Sequence, residues 1–209
     1  MRIVKEHDER KNEIINTAAA LFIDKGYDQC SINDILNSIG IAKGTFYHYF
    51  KSKEDVLDAA VNKMSEQILI QVQEIAAKKE IPPLDRIIQV LLAIRVTDHT
   101  EKALIQEMHK MQNALLHQKT LVSIITTLTP VFTEIVKEGN TSGIFQCKYP
   151  EESIQILLSA TLTLLDDGIF QLDKAQTAKV FEAIVYAMEK MLGVNDEGFF
   201  ERMCEYWKF

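Results

Sequence analysis

Lys43, Gly44, Thr45, Tyr47, His48 and Tyr49 fall within seven consecutive residues, and no acidic side chain occurs anywhere from Lys43 to Lys53. On a helix, Lys43, Gly44, Tyr47 and His48 share one face, while Ala42, Phe46 and Phe50 point the other way. The outward set combines an ammonium, a gap that lets another backbone approach, a phenol and an imidazole. A lysine there can donate to the O6 and N7 acceptors of guanine. The chemistry is that of a surface made for base edges and phosphates, not for bond making.

Such a face needs a neighbouring helix to hold it, and the preceding residues supply one. Ser31 followed three residues later by Asp34 predicts a capping box, and Ile32, Ile35, Leu36 and Ile39 recur at the spacing of one helix face. Gly40 stands where that helix stops and reverses, and a second helix opens near Ala42. Two short helices across a tight turn, the second polar and acid-free, form a helix-turn-helix suited to a DNA groove. Upstream, Ile14, Ile15, Ala18, Leu21 and Phe22 predict a first helix closed at Gly26. Downstream, Ser52 with Asp55 opens a long helix to about Lys79.

The run from Ile14 to Leu57, with AAALFIDKGYDQCSINDILNSIGIAKGTFYHYFKSKEDVL at its centre, closely resembles the N-terminal domain of TetR-type (AcrR-like) transcriptional regulators. The matching features are Phe22 with Gly26-Tyr27, the Ser31 cap, the Gly40-Ile41 turn, Gly44-Thr45-Phe46-Tyr47, Tyr49-Phe50 and Lys53. The resemblance implies that Lys43, Gly44, Thr45 and His48 read base edges. It implies that Tyr47 and Lys53 hold phosphates, that Tyr49 serves either role, and that Ser31 belongs to the DNA-facing set. Lys53 sits in the first turn of its helix, where exposed amides already favour an anion.

The composition fits a globular protein of this kind, with 47% hydrophobic and 25% charged residues. The net charge of −7 is unevenly placed. Residues 1–53 hold eight basic against seven acidic side chains, and the remainder fifteen against twenty-three. A head of only +1 must rely on geometry and pairing rather than bulk charge. No run reaches the roughly 18 uninterrupted apolar residues of a membrane span, and the charged start MRIVKEHDERKNE lacks an apolar signal core. Three scattered cysteines, Cys30, Cys147 and Cys204, suit a reducing cytoplasm.

The remaining chain reads as helical. Pro82-Pro83 starts one helix, with others from Thr100 to Leu116, from Lys119 to about Lys137 (ended by Gly139), from Pro150 to Leu165, from Asp173 to Leu192, and a tail from Asn195. Strand-like alternation is essentially absent. The expected fold is therefore all-α, with about nine to ten helices. Residues 1–51 would form the helix-turn-helix head and residues 52–209 the helical body. Pro130 interrupts the threonine-rich run LVSIITTLTPVFTEIV, predicting a kink that makes this helix a pocket wall. Met108, His109, Met111, Phe132, Thr161 and Phe170 are the candidate lining residues.

The resemblance implies an effector pocket in this body and pairing through the last two long helices, at about 150–167 and 173–192. The broad apolar stripes there, including Leu157, Leu162, Val180, Ile184 and Met188, agree with a homodimer. No cofactor is expected and no metal site is predicted; a di-iron bundle would need Glu three residues before His, and the chain has none. The reading is a cytoplasmic repressor that binds a palindromic DNA operator as a dimer and is released by a small molecule, with no membrane contact. The alternatives are a DNA-binding regulator controlled by a protein partner instead, and an enzyme with a vestigial head.

Overall fold

A computed structural model of the protein describes residues 2–94, 113–194 and 198–206. Among the described residues there are nine helices and no strand. They are α1 (Arg2–Lys25), α2 (Ile32–Ile39), α3 (Lys43–Tyr49), α4 (Lys53–Ala76), α5 (Pro83–Ile94), α6 (Ala114–Thr141), α7 (Pro150–Leu164), α8 (Lys174–Leu192) and α9 (Phe199–Tyr206). They form two compact units, one drawn from residues 1–65 and 98–123, the other from 66–97 and 124–209.

The first unit closes around Ile14, Ala18, Phe22, Ile35, Phe46, Phe50, Val56 and Leu57, with Leu116 of α6 in the same cluster. The Tyr27 amide donates to Asn113 Oδ1 at 2.8 Å. Lys119 reaches Asp58 at 2.5 Å and Glu54 at 3.1 Å on α4. The start of α6 is thereby built into the helix-turn-helix unit.

The second unit packs α7 on α8 and docks α9 onto α8. Phe199 and Met203 of α9 are buried in the same core as Phe132, Leu157 and Val185, so the described part of the tail folds onto its own bundle. Arg86 is almost wholly buried at 2% exposure. Its guanidinium donates to Ala76 O at 2.8 Å, to Ile81 O at 3.1 Å and to the Glu138 carboxylate. Lys79 also pairs with Glu138. The last turn of α4 and the start of α5 are thus held to α6 by one buried cation.

Two expectations need correction. The helix foreseen from Lys119 and ended by Gly139 begins at Ala114 and runs to Thr141. Gly139 lies inside it because the Phe145 ring packs where a Cβ would stand, so this glycine serves packing rather than termination. Pro130 lies within this helix. Second, Ala42 is exposed rather than inward, since it is the N-cap of α3. The foreseen helix from Thr100 falls largely outside the described residues.

By length and composition alone, α6 is apolar enough to cross a membrane. Its apolar side chains instead enter the cores, as with Leu128, Phe132, Ile135 and Val136. The hydroxyls of Thr120, Thr129 and Thr141 donate to carbonyls four residues back.

Candidate nucleic-acid interface

The scaffold of the outward face begins at Ser31. Its hydroxyl accepts from the Asp34 amide at 3.2 Å and donates to Asp34 Oδ2 at 2.5 Å, while its own amide donates to the same carboxylate at 2.8 Å. Lys25, ending α1, holds the other Asp34 oxygen at 2.7 Å. The Lys25 ammonium, then the Ser31 hydroxyl and amide, keep this carboxyl well below the usual carboxylate range. Ser31 is exposed, but its proton and amide are already committed to this box.

At the other end of α2, Gly40 adopts φ 72°, the left-handed conformation that favours glycine. The amides of Gly40 and Ile41 both converge on Leu36 O, at 2.9 and 3.1 Å. This tight reversal delivers the chain to Ala42 in an extended conformation, and α3 follows.

Helix α3 is anchored by Phe46, fully buried, and by Phe50, its C-cap, whose amide donates to Phe46 O at 3.0 Å. Lys43, Gly44, Tyr47 and His48 are exposed together, and Thr45 and Tyr49 are half-buried. The Lys43 ammonium lies 5.8 Å from the centroid of the Tyr47 ring, close enough for a weak cation–π contact. A Cβ placed on Gly44 would meet no atom within 4 Å. The fold therefore does not require glycine at 44; a partner's close approach would.

Lys53 behaves differently from the expectation of a free phosphate ligand. Its ammonium is half-buried against the α1–α2 loop, donating to Tyr27 O at 2.7 Å and Cys30 O at 3.0 Å. An ammonium has three N–H donors, so one remains for a phosphate. The cap of α4 forms at Ser52 as expected, but only half of the box is reciprocal. Ser52 Oγ accepts from the Asp55 amide at 3.0 Å, and Asp55 accepts from the Lys51 amide rather than from Ser52.

The sequence reading missed His7. On α1 it stacks its ring 4.6 Å from Tyr49 and 5.6 Å from His48, and His48 and Tyr49 are 5.0 Å apart. The signal was present, since His7 lies seven residues, two helical turns, before the buried Ile14.

In the second unit, a small apolar crevice, partly open to solvent, is lined by Ile87, Leu91, Phe132, Ile154, Leu157, Leu158, Thr161, Met188 and Leu192. Of the candidate effector residues, Phe132 and Thr161 meet there. Phe170 is exposed between α7 and α8 and is not among the lining residues. Met108, His109 and Met111 lie outside the described residues. The Thr161 hydroxyl donates to Leu157 O at 2.7 Å, so no unpaired donor faces the space.

Comparison with known proteins agrees with this geometry. Residues 14–60 match the family described as "Bacterial regulatory proteins, tetR family", and residues 96–187 match "Tetracyclin repressor-like, C-terminal domain". The HTH-type transcriptional repressor KstR2 of Mycolicibacterium smegmatis is 33% identical over 66 residues, 32% of this chain and 32% of that protein. The chain thus spans about a third of that relative's length. The fatty acid metabolism regulator protein of Bacillus subtilis is 24% identical over 165 residues, 77% of this chain and 85% of that one. A tetR-family regulatory protein from Rhodococcus RHA1 superposes with TM-score 0.58 at 20% identity, covering 89% of this chain and 98% of the other. RolR in complex with its ligand resorcinol gives TM-score 0.63 at 17% identity, covering 96% of each chain. These two likenesses show the fold.

Proposed function

Because the chain belongs to the TetR family of DNA-binding bacterial transcriptional regulators, we propose that it is a cytoplasmic repressor that binds a palindromic operator as a homodimer. Residues 1–51 read the operator; residues 52–209 pair with the second copy and bind a small molecule that releases the DNA. One observation carries the reading: Phe46 and Phe50 lock α3 into the core while Lys43, Gly44, Tyr47 and His48 face outward with no acid among them.

Lys43, Gly44, Thr45 and His48 are the base readers, and Tyr47 and the remaining Lys53 donor hold phosphates. Tyr49 steadies the surface from its contact with His7, and Ser31 acts by fixing the start of α2. Pairing through α7 and α8 is supported by Ile156, Leu164 and Tyr186, which stand 56%, 37% and 59% exposed on these helices. The crevice favours an effector that is apolar where it enters. That agrees with a Bacillus subtilis relative named for fatty acid metabolism and with the resorcinol held by RolR.

Selection of duplexes from a random library by the full-length protein tests this. A two-fold symmetric consensus with half-sites about one helical turn apart supports it. A flat selection at moderate salt, repeated with small-molecule extract, would overturn it.

A further inference from the structure

We propose that His7 is a positioning residue of the DNA-reading surface, holding His48 and Tyr49 in place through ring contacts from α1; this rests on the reading of α3 given above. Helix α1 begins at Arg2, twelve residues before the family match begins at 14. On that extension, His7 meets the second half of the outward face of α3. The three rings form a closed triangle, with centroids 4.6, 5.0 and 5.6 Å apart and tilted or edge-on planes. Edge contacts of this kind are directional, because the positive ring edge seeks the negative face of its neighbour.

His48 has no other described ring contact. It is exposed on the last turn of a seven-residue helix, so the fold alone gives its side chain little restraint. Without His7, His48 would keep only its edge contact with Tyr49 before meeting a base. Lys43, at the opposite end of α3, leans instead on the Tyr47 ring. His7 should therefore govern selectivity at the base pair His48 faces and leave the one Lys43 faces unchanged.

The test compares the full-length protein with His7→Ala, His7→Phe, His48→Ala and Lys43→Ala by duplex selection and titration of single-base variants of the consensus. His7→Ala is expected to lose about two- to tenfold of the discrimination at the position that His48→Ala also relaxes, a range set by the strength of aromatic pairs. Its melting temperature and its selectivity at the Lys43 position should match those of the unaltered protein. His7→Phe, which keeps a ring, should restore the lost discrimination. If His48→Ala relaxes one position and His7→Ala leaves it intact, the positioning role is overturned while the DNA reading stands. Equal loss in His7→Phe and His7→Ala also overturns it, pointing instead to a direct imidazole contact. A flat selection by the unaltered protein overturns the reading of α3 itself.

Discussion

Lys53 closes the loop that Tyr27 begins: its ammonium donates to Tyr27 O at 2.7 Å and stands 4.1 Å from the centroid of that residue's ring. The same nitrogen holds Cys30 O at 3.0 Å. The lysine that opens α4 therefore fixes the path from α1 into the helix-turn-helix.

Replacing Lys53 with Met should consequently act on folding as well as on binding. Bonds to a charged group contribute about 1.5–3 kcal/mol when partly buried, and Lys53 is only partly exposed to solvent. Urea unfolding should show a loss of about 2 kcal/mol, and DNA affinity should fall alike for all sequences. Unchanged stability with a salt slope lowered by about one would return Lys53 to the simpler role of a phosphate ligand.

Gly44→Ala separates the two roles in the other direction. The site has open space and no positive φ, and alanine favours a helix by up to about 1 kcal/mol over glycine. Stability should hold or rise while operator affinity falls, if the open space at Gly44 is where the proposed DNA partner approaches. Preserved affinity would remove Gly44 from the interface.

How much of this was legible in sequence depended on whether a signal was local. The Ser31–Asp34 box and the Gly40 turn are written in adjacent residues and formed as read. Gly139 carried the same letter as Gly40 but a different cause. Its meaning depends on Phe145 folding back over it, a contact no periodicity reveals. Lys53 has a second role that no local signal shows: its ammonium also holds carbonyls 23 and 26 residues earlier in the chain. In the pocket set, Phe132 and Thr161 met because both lie on faces directed into one core, whereas Phe170 lies beyond the end of α7.

Asp34 should make the helix-turn-helix unit sensitive to acid. Its carboxyl is held low by Lys25 first and then by Ser31, so the folded form binds its proton more weakly than the unfolded chain does. The stabilisation is then present above the unfolded carboxylate value of about 3.9 and is lost as pH falls below it toward the depressed folded value. Denaturant unfolding from pH 7 to pH 3 should show a loss of stability in acid that is reduced in Asp34→Asn. Identical acid profiles for the two proteins would dissociate Asp34 from that dependence.

Arg86 should be among the costliest single residues to alter in the second unit. It is buried, and its three groups satisfy the α4 terminus, the α5 entry and Glu138. Removing one member of such a buried pair costs about 3–5 kcal/mol, so Glu138→Ala, which strands the cation, should lower stability by about 3 kcal/mol. The partial exposure of Glu138 places the effect at the lower end. Calorimetry of Glu138→Ala against Glu138→Gln measures it, and a change under about 1 kcal/mol would mean that solvent already screens the pair.

The crevice gives the sharpest test of regulation, because filling it need not touch the DNA face. Eight of its nine lining residues have hydrocarbon or thioether side chains, and the hydroxyl of the ninth, Thr161, is bonded to Leu157 O. An ionised group entering there would lose its hydration with no partner to replace it, so the inserted part of an effector must be apolar. Leu158→Phe adds volume at that wall for a packing cost of about 1–3 kcal/mol. It should leave operator affinity near that of the unaltered protein while abolishing release by a small apolar effector. Linkage requires that effector and DNA weaken each other by the same factor, so the effector should also bind the operator-bound protein more weakly. Calorimetric titration of a short aliphatic acid or a phenol, with and without operator, checks both. Equal affinity in the two titrations would exclude the crevice as the regulatory site for that ligand, and retained release in Leu158→Phe would place the effector elsewhere in the body.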